Sequence, residues 1–347
     1  MDNQKRLLPF AAGLLLLGVA FFLLYQKPIH VEFSDATMGT RYQVKISDLP
    51  RSLNQNQISN AVYQALTEVD QLMSTYKPNS DISRFNRSKI NEPVLIDPKT
   101  LEVIQLSKQI YNATNGAFDI TVGPIVRLWG FGPEVKDDQI PSVHSIELAL
   151  SKVGFSKIQI TEYPPTLSKL EQVEIDLSAI AKGYGVDQVA AVLDSYQLQH
   201  YLIEVGGEIR VKGHNKDGQL WRIGIEAPSL IRTGAQKAIA IKSASVATSG
   251  DYRNFFEISG QRFSHTIDPY TGAPVKHDLA SVTLISDSCA QADAYATAIS
   301  VLGPIHGFAL AEKLNLSAYF LVRDGDKFQQ LMTSEFRAHV EDDSTLH

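Results

Sequence analysis

Asp293 and Thr297 stand four apart in the segment DAYAT. On a helix that spacing puts both side chains on one face. A carboxylate and a hydroxyl so placed suit a hard cation such as Mg2+, which takes oxygen ligands and keeps positions for water and phosphate. A polar pair closing an apolar helix is the plainer reading of the same spacing. In IDLSAIAKGYG, Asp176, Ser178 and Lys182 surround an expected helix start. Free amides there, with the lysine charge beside them, suit a phosphate, although Asp176 or Ser178 acting only as a helix cap satisfies the pattern equally. Asp119 and Thr121 fall in NGAFDITVGP, on an expected short strand after a turn. His265 directly precedes TIDPYTGAP, where Pro269 and Gly272 mark a corner. An imidazole, with an ordinary pKa of about 6.5, is a base near neutrality, and a rigid turn can aim it; a satisfied structural histidine is the plainer alternative.

These side chains need elements to carry them. RYQVKI alternates Tyr42, Val44 and Ile46 against polar neighbours, the period of a half-buried strand. From Ile58 the apolar residues Val62, Leu66, Val69 and Met73 follow at three or four, which predicts a helix. A second helix is expected from Pro98 to Thr114, stopped by Asn115-Gly116. A third is expected from Ser142 or Ser145 to before Gly154, and a fourth from near Leu177 through Tyr196 despite Gly183 and Gly185. Those two glycines serve either a close approach to a ligand or tight helix packing.

From His200 strands dominate. YLIEV, EIRVKG, WRIGIEA and KAIAIKS are separated by Gly206-Gly207, Asp217-Gly218 and a polar loop. FFEISGQRFSHTID predicts a hairpin turning at Ser259-Gly260, LASVTLIS a further strand, and AYFLVRDGDKFQQL a closing hairpin at Asp324-Gly325. Between them SCAQADAYATAISVLG predicts a helix with Ser286 or Asp287 as N-cap and Gly303 near its end. Helices and hairpins mix without a βαβ rhythm, so the fold class is α+β.

A net charge of -6 and the lack of any basic block exclude nucleic acid as the main partner. One cysteine, Cys289, excludes an internal disulfide and leaves no thiolate cluster for zinc. The nine histidines show no HExxH spacing, and neither GxGxxG nor a P-loop is present. Any metal would therefore be held by oxygen, and any nucleotide without a glycine-rich phosphate loop.

At the N-terminus Lys5 and Arg6 precede an uncharged apolar run, Leu7 to Tyr25. At about 1.5 Å per residue such a helix nearly spans a bilayer core. The basic flank predicts that residues 1–6 stay in the cytoplasm and that the rest is exported. Gly18-Val19-Ala20 is a weak cleavage site for a signal peptide, but Phe21 to Leu24 continue the apolar run, which favours an uncleaved anchor at 7–25. A linker at 26–32 and a domain at 33–347 would follow. No cysteine lies near residue 20 to take a lipid.

Eight segments in order, TMGT from Thr37, MSTYKPNSDISRFN from Met73, GAFDITVGP from Gly116, DLSAIAKGYGVD from Asp176, EVGGEI from Glu204, ATSGDYRN from Ala247, HTIDPYTGAP from His265 and DAYATA from Asp293, resemble the ApbE family of flavin transferases. The resemblance runs from about residue 33 to about residue 303. It implies a T-fold-like α+β domain that binds FAD and a divalent cation, usually Mg2+, outside the cytoplasmic membrane. It implies transfer of FMN from FAD to a threonine hydroxyl of a target protein, with AMP released. The implied metal ligands are the Asp293 and Thr297 side chains and the Ala179 carbonyl. The implied FAD contacts are Met38, Tyr76, Ala117, Phe118, Asp119 and Lys182, and the implied base is His265. The implied targets are subunits of membrane redox complexes of the sodium-pumping NADH:quinone reductase type, and the apolar segment at 7–25, in place of the lipid-bearing cysteine of many family members, leads to the expectation of a single-pass protein of the bacterial inner membrane with its catalytic domain in the periplasm. Relatives that hydrolyse FAD to FMN and AMP, or that only bind it, are the alternatives within the same resemblance.

Overall fold

A two-residue turn at Met38-Gly39, with φ of 47° and 71°, joins strands Ile29–Thr37 and Thr40–Leu49. Positive φ at both positions matches the twist of the flanking strands, so the turn closes tightly and holds Met38 at the hairpin tip. The computed structural model describes residues 29–131, 140–226, 235–250, 255–258, 261–325 and 327–337. The expected anchor at 7–25 and the turn at Ser259-Gly260 lie outside these residues.

The two strands open an eight-stranded antiparallel sheet that continues through Tyr201–Val205, Glu208–Lys212, Ser243–Gly250, Leu279–Ser286, Ser317–Asp324 and Lys327–Met332. Its spatial order is its chain order. Between the second and third strands the chain inserts helices Gln55–Met73, Asp81–Arg87, Pro98–Ala113, Gly123–Leu128, Val143–Leu150 and Ala181–Ser195, together with a small sheet of Val94–Leu95, Thr166–Lys169 and Ile158–Thr161. Helices Ala181–Ser195 and Cys289–Lys313 pack against one face of the large sheet and against each other. The hairpin of Trp221–Glu226 and Ala235–Ile241 joins Val211, Val246, Ile285, Tyr319 and Leu321 in a separate core cluster. Leu279–Ser286 is thus a central strand: Val282 and Leu284 pack with the long helix, and Ile285 packs with the Trp221 hairpin.

Helix ends follow the expected chemistry in most places. Ser142 caps Val143–Leu150 by accepting the Ser145 N–H at 3.1 Å, and Asn115 and Gly116 take φ of 50° and 87° after Pro98–Ala113. At the end of the sheet Gly325 has φ of 59°.

Several expectations are corrected. The first strand begins at Ile29, inside the stretch expected as linker, because residues 29–37 pair along Thr40–Leu49. Asp119 and Thr121 form a turn rather than a strand, since the Thr121 N–H and hydroxyl both donate to Asp119 Oδ1, at 2.8 and 2.6 Å. The fourth helix starts at Ala181 rather than near Leu177, because Ile180 has φ of -147° and interrupts it. Ser288, not Ser286 or Asp287, caps the long helix by accepting from Gln291 N–H. That helix continues past Gly303 to Lys313, broken where Gly303 turns to φ 74° before Pro304. The strand Ser243–Gly250, the small sheet and the helix Asp81–Arg87 complete the fold without having been anticipated.

Cys289–Lys313 is, among the described residues, the one helix long and apolar enough to cross a membrane by composition. Ala292, Ala296, Ile299 and Ala311 on it pack into the core beside the sheet, which accounts for its apolarity.

Candidate active site

A cleft of about 470 Å³ opens between the Met38 hairpin, the end of helix Gln55–Met73 and the start of helix Ala181–Ser195. Met38 and Gly39 line one wall; Met73, Ser74, Thr75, Tyr76 and Lys77 another; Asp176, Ser178, Ala181 and Lys182 the third. Met38, Tyr76 and Lys182 are thus brought together as the sequence implied. Tyr76 is 69% exposed, and its ring is available to stack on a planar ligand. Its loop is pinned from below, since the Ser80 hydroxyl donates to the Ser74 carbonyl at 2.7 Å. Asp70 and Lys77, both in the cleft lining, pair at 3.3 Å.

Behind Lys182 lies a buried polar cluster. Its Nζ stands 3.0 Å from Glu208 Oε1 and 3.6 Å from Asp293 Oδ2. Burial works against the lysine charge, but Asp293 and Glu208 outweigh it and hold the ammonium above its ordinary pKa. Burial pushes the Glu208 carboxyl up to about 7, with Lys182 opposing and Asp293 adding to the rise.

Gly183 explains how these helices come so close. A Cβ there would lie 2.4 Å from the Cys289 carbonyl oxygen and 2.9 Å from Ala290 Cα. Only glycine admits that crossing, so tight helix packing decides the alternative left open for this residue. The Gly183 N–H donates to Asp293 Oδ2 at 3.1 Å instead of to the Ala179 carbonyl four residues back. Ala179 sits in the turn preceding the helix, and its carbonyl accepts no hydrogen bond among the described residues. The Ala179 carbonyl, the buried Asp293 carboxylate and, one helical turn beyond Asp293, the half-buried Thr297 side chain are oxygen donors of the kind a hard cation takes. Among the described residues no group of three or more His, Cys, Asp or Glu side chains is placed to hold a metal. A single carboxylate with neutral oxygens fits an ion that keeps several waters and takes the rest of its shell from substrate phosphates, as Mg2+ does.

Ala117, Phe118 and Asp119 do not line the cleft; they are buried in the wall next to it. Phe118 belongs to the core. The wall is tied to the cleft by the Asp176 N–H, which donates to the Ile120 carbonyl at 2.7 Å. Burial raises the Asp119 carboxyl above its ordinary pKa against the lowering effect of the Thr121 hydrogen bonds.

His265 follows the strand Gln261–Ser264 and is half-buried, its ring edge-on to Phe131 with centroids 6.3 Å apart. The turn after it is rigid: the Gly272 N–H donates to the Asp268 carbonyl at 2.9 Å, the Thr271 hydroxyl donates to Asp268 Oδ2 at 3.0 Å, and the Trp129 indole N–H donates to the Gly272 carbonyl at 2.8 Å. From this turn Tyr270 reaches the loop before Asp119, where a side chain at Gly116 would lie 2.9 Å from the Tyr270 hydroxyl. The turn after His265 therefore packs against the loop that precedes Asp119.

Asp70, Ser74, Thr75 and Lys77 in the cleft, and Glu208 behind it, were not singled out from the sequence. Ser74, Thr75 and Lys77 flank Tyr76 in sequence, which is the available signal, while Asp70 lies six residues before it in the last turn of helix Gln55–Met73. Glu208 carried none beyond its place after Gly206-Gly207.

An α+β domain whose cleft of about 470 Å³ is lined by the half-buried Lys182, with a buried carboxylate at the helix crossing behind it, is the frame of a ligand-binding enzyme without a glycine-rich phosphate loop. The pattern of the ApbE family matches residues 38–320, and the chain belongs to that family. It is 40% identical over 314 residues to the FAD:protein FMN transferase of Vibrio cholerae, covering 90% of this chain and 93% of that protein. It is 40% identical over 317 residues to the FAD:protein FMN transferase of Haemophilus influenzae, covering 90% and 92%. The solved structure of the flavin transferase ApbE from Vibrio cholerae superposes with a TM-score of 0.84 at 39% identity, over 90% of this chain and 100% of that one. The apo flavinyl transferase ApbE of Pseudomonas stutzeri does so with a TM-score of 0.84 at 36% identity, over 91% and 98%.

Proposed function

We propose that this flavin transferase moves FMN from FAD to a threonine hydroxyl of a protein partner, assisted by a divalent cation for which Mg2+ is the suited ion. The observation that carries the reading is that Gly183 gives its N–H to the Asp293 carboxylate and leaves the Ala179 carbonyl without a hydrogen bond among the described residues. With Thr297 these groups would hold the ion, which supplies neutralisation of diphosphate charge.

The protein's own residues do the rest. Lys182 faces the cleft from behind and places a fixed positive charge beside the diphosphate. Met38 and Tyr76 bracket the planar part of the ligand. His265 accepts the threonine proton as the threonine oxygen forms its bond to the FMN phosphorus and the bond to the AMP oxygen breaks. The buried wall at Ala117 to Asp119 keeps bulk water from that side.

The apolar run at 7–25, flanked by Lys5 and Arg6, supports anchoring in a bacterial inner membrane with this domain in the periplasm. Subunits of membrane redox complexes of the sodium-pumping NADH:quinone reductase type are the partners such a placement favours. The test incubates the protein with FAD, Mg2+ and a candidate subunit, then reads flavin fluorescence after denaturing electrophoresis. A labelled subunit that loses its label when the acceptor threonine is replaced by valine supports the reading. Free FMN and AMP without any labelled subunit would make the enzyme a pyrophosphatase, and intact FAD would make it a flavin-binding protein.

A further inference from the structure

We propose that Glu208 is a positioning residue that draws the Lys182 ammonium away from Asp293 and so keeps that carboxylate open to a divalent cation; the inference rests on reading Asp293 as a metal ligand. One ammonium lies between two carboxylates, each at most 6% exposed. At 3.0 Å from Glu208 Oε1 it is hydrogen-bonded, while at 3.6 Å from Asp293 Oδ2 it is only an ion-pair neighbour. Were Glu208 neutral, the same ammonium would find its strongest partner in Asp293, and would compete with the cation for the oxygens of that side chain.

The backbone is built to place Glu208 there. Gly206 and Gly207 turn with φ of 61° and 105°, and a Cβ at Gly206 would lie 2.9 Å from Thr40 Cγ2 and 3.2 Å from Lys182 Cδ. The turn therefore lies against the lysine stem, and the residue that follows it meets the ammonium. The second carboxylate oxygen, Oε2, is buried without a hydrogen-bond partner. A half-satisfied buried carboxylate is costly, and a purely structural contact to the lysine would be served as well by a neutral acceptor. What the charge adds is a hold on Lys182 that a neutral group lacks.

The test is direct binding of Mn2+, followed by electron paramagnetic resonance at about pH 8, where an ordinary carboxylate is ionised. Four proteins are compared: wild type, Glu208→Gln, Lys182→Met and the double variant. Glutamine keeps an acceptor for the lysine and the same volume, and Glu208→Ala repeats the measurement should the glutamine protein fail to fold. In the wild-type background the loss of Glu208 is expected to weaken Mn2+ binding about tenfold, and in the Lys182→Met background by less than about twofold, the non-additivity of groups in contact. Unchanged binding in the first background, or equal weakening in both, overturns the role of Glu208, the latter by reducing it to long-range charge. If wild type binds no Mn2+, or Asp293→Ala binds it unchanged, the metal reading of Asp293 falls and this inference falls with it.

Discussion

Asp187 and Asp293 sit on two packed helices, and each accepts from the first turn of the other's helix, Asp187 two backbone N–H groups and Asp293 one. Asp187 Oδ1 and Oδ2 take the N–H groups of Cys289 and Ala290, both at 3.0 Å, and Oδ2 also takes the Ser288 hydroxyl at 2.9 Å. Asp293 Oδ2 takes the N–H of Gly183. Orphan amides at a helix start carry partial positive charge, so each carboxylate satisfies donors and complements a dipole at once. The exchange fixes the register between the turn that carries Ala179 and the helix that carries Asp293 and Thr297.

Replacing Asp187 by alanine removes those acceptors and the partner of Arg210 Nη1, at 2.9 Å. A loss of about 2 to 3 kcal/mol in stability is expected, read from urea denaturation. Asp187→Asn, which keeps one carbonyl oxygen, is expected to lose roughly half as much. A change below about 0.5 kcal/mol for alanine, the range of ordinary surface substitutions, would show that Ser288 alone caps the helix.

Gly183→Ala gains helix propensity worth about 1 kcal/mol in an open helix. Here its Cβ meets the backbone of Cys289 and Ala290, which cannot swing aside. Overpacking of that kind costs about 1 to 3 kcal/mol, so the net change is destabilising, and the Gly183–Asp293 hydrogen bond is expected to open. Gly185→Ala is the control, because its neighbours are the flexible ends of Leu66 and Met38 at 3.2 and 3.4 Å. Thermal unfolding of both variants decides it; equal midpoints would remove the crossing from the account.

Local features were legible because they are written locally. The alternation at Tyr42, Val44 and Ile46, the cap at Ser142 and the corner at Asp268 to Gly272 each depend on neighbours along the chain. The Asp293 site was legible only through eight ordered segments, since a helical pair four apart is common. Asp187 and Glu208 were not legible as partners of the site. The bonds of Asp187 to Ala290 and of Asp293 to Gly183 join residues 103 and 110 apart, and only the packed helices bring them into range. The start of helix Ala181–Ser195 differs from the expected one for a local reason: DLSAIAKG has helical propensity, but Asp176 Oδ1 accepts the Ser178 N–H at 2.9 Å and holds a turn instead.

His265→Ala is expected to retain FAD affinity within about twofold and to lose transfer by about 10² to 10⁴, the usual contribution of a positioned base. The bonds of the turn itself are made by Asp268, Thr271, Gly272 and Trp129, so the loss is expected to be chemical rather than structural. FAD titration and in-gel fluorescence are measured on the same preparation. Labelling at the wild-type rate would remove His265 as the base.

His277 repairs the break in the long helix. Pro304 has no N–H to give the Ser300 carbonyl, its normal acceptor four residues back, and His277 Nε2 stands 2.8 Å from that oxygen. The imidazole thus donates through Nε2, while Nδ1 accepts the Leu279 N–H at 3.3 Å. His277→Ala leaves a buried carbonyl unpaired and is expected to cost about 1 to 3 kcal/mol. A denaturation midpoint equal to wild type would show that the carbonyl finds another donor.

The raised Glu208 carboxyl gives the apoprotein a pH signature of definite sign. The folded protein keeps the proton up to about pH 7, whereas the unfolded chain releases it at the ordinary value of 4.5. Between those values the native state binds more protons, so this contribution to stability is complete below 4.5 and is lost as pH rises through 7. A carboxylate that is depressed in the folded state would give the opposite slope. Wild type is therefore expected to gain on Glu208→Gln as pH falls from about 8 to about 5, by at most about 3 kcal/mol on the linkage scale of 1.36 kcal/mol per unit. Urea denaturation of both proteins across that range, without added metal, reads the difference directly. Parallel profiles would mean that Lys182 holds Glu208 ionised throughout, with a folded pKa close to that of the open chain.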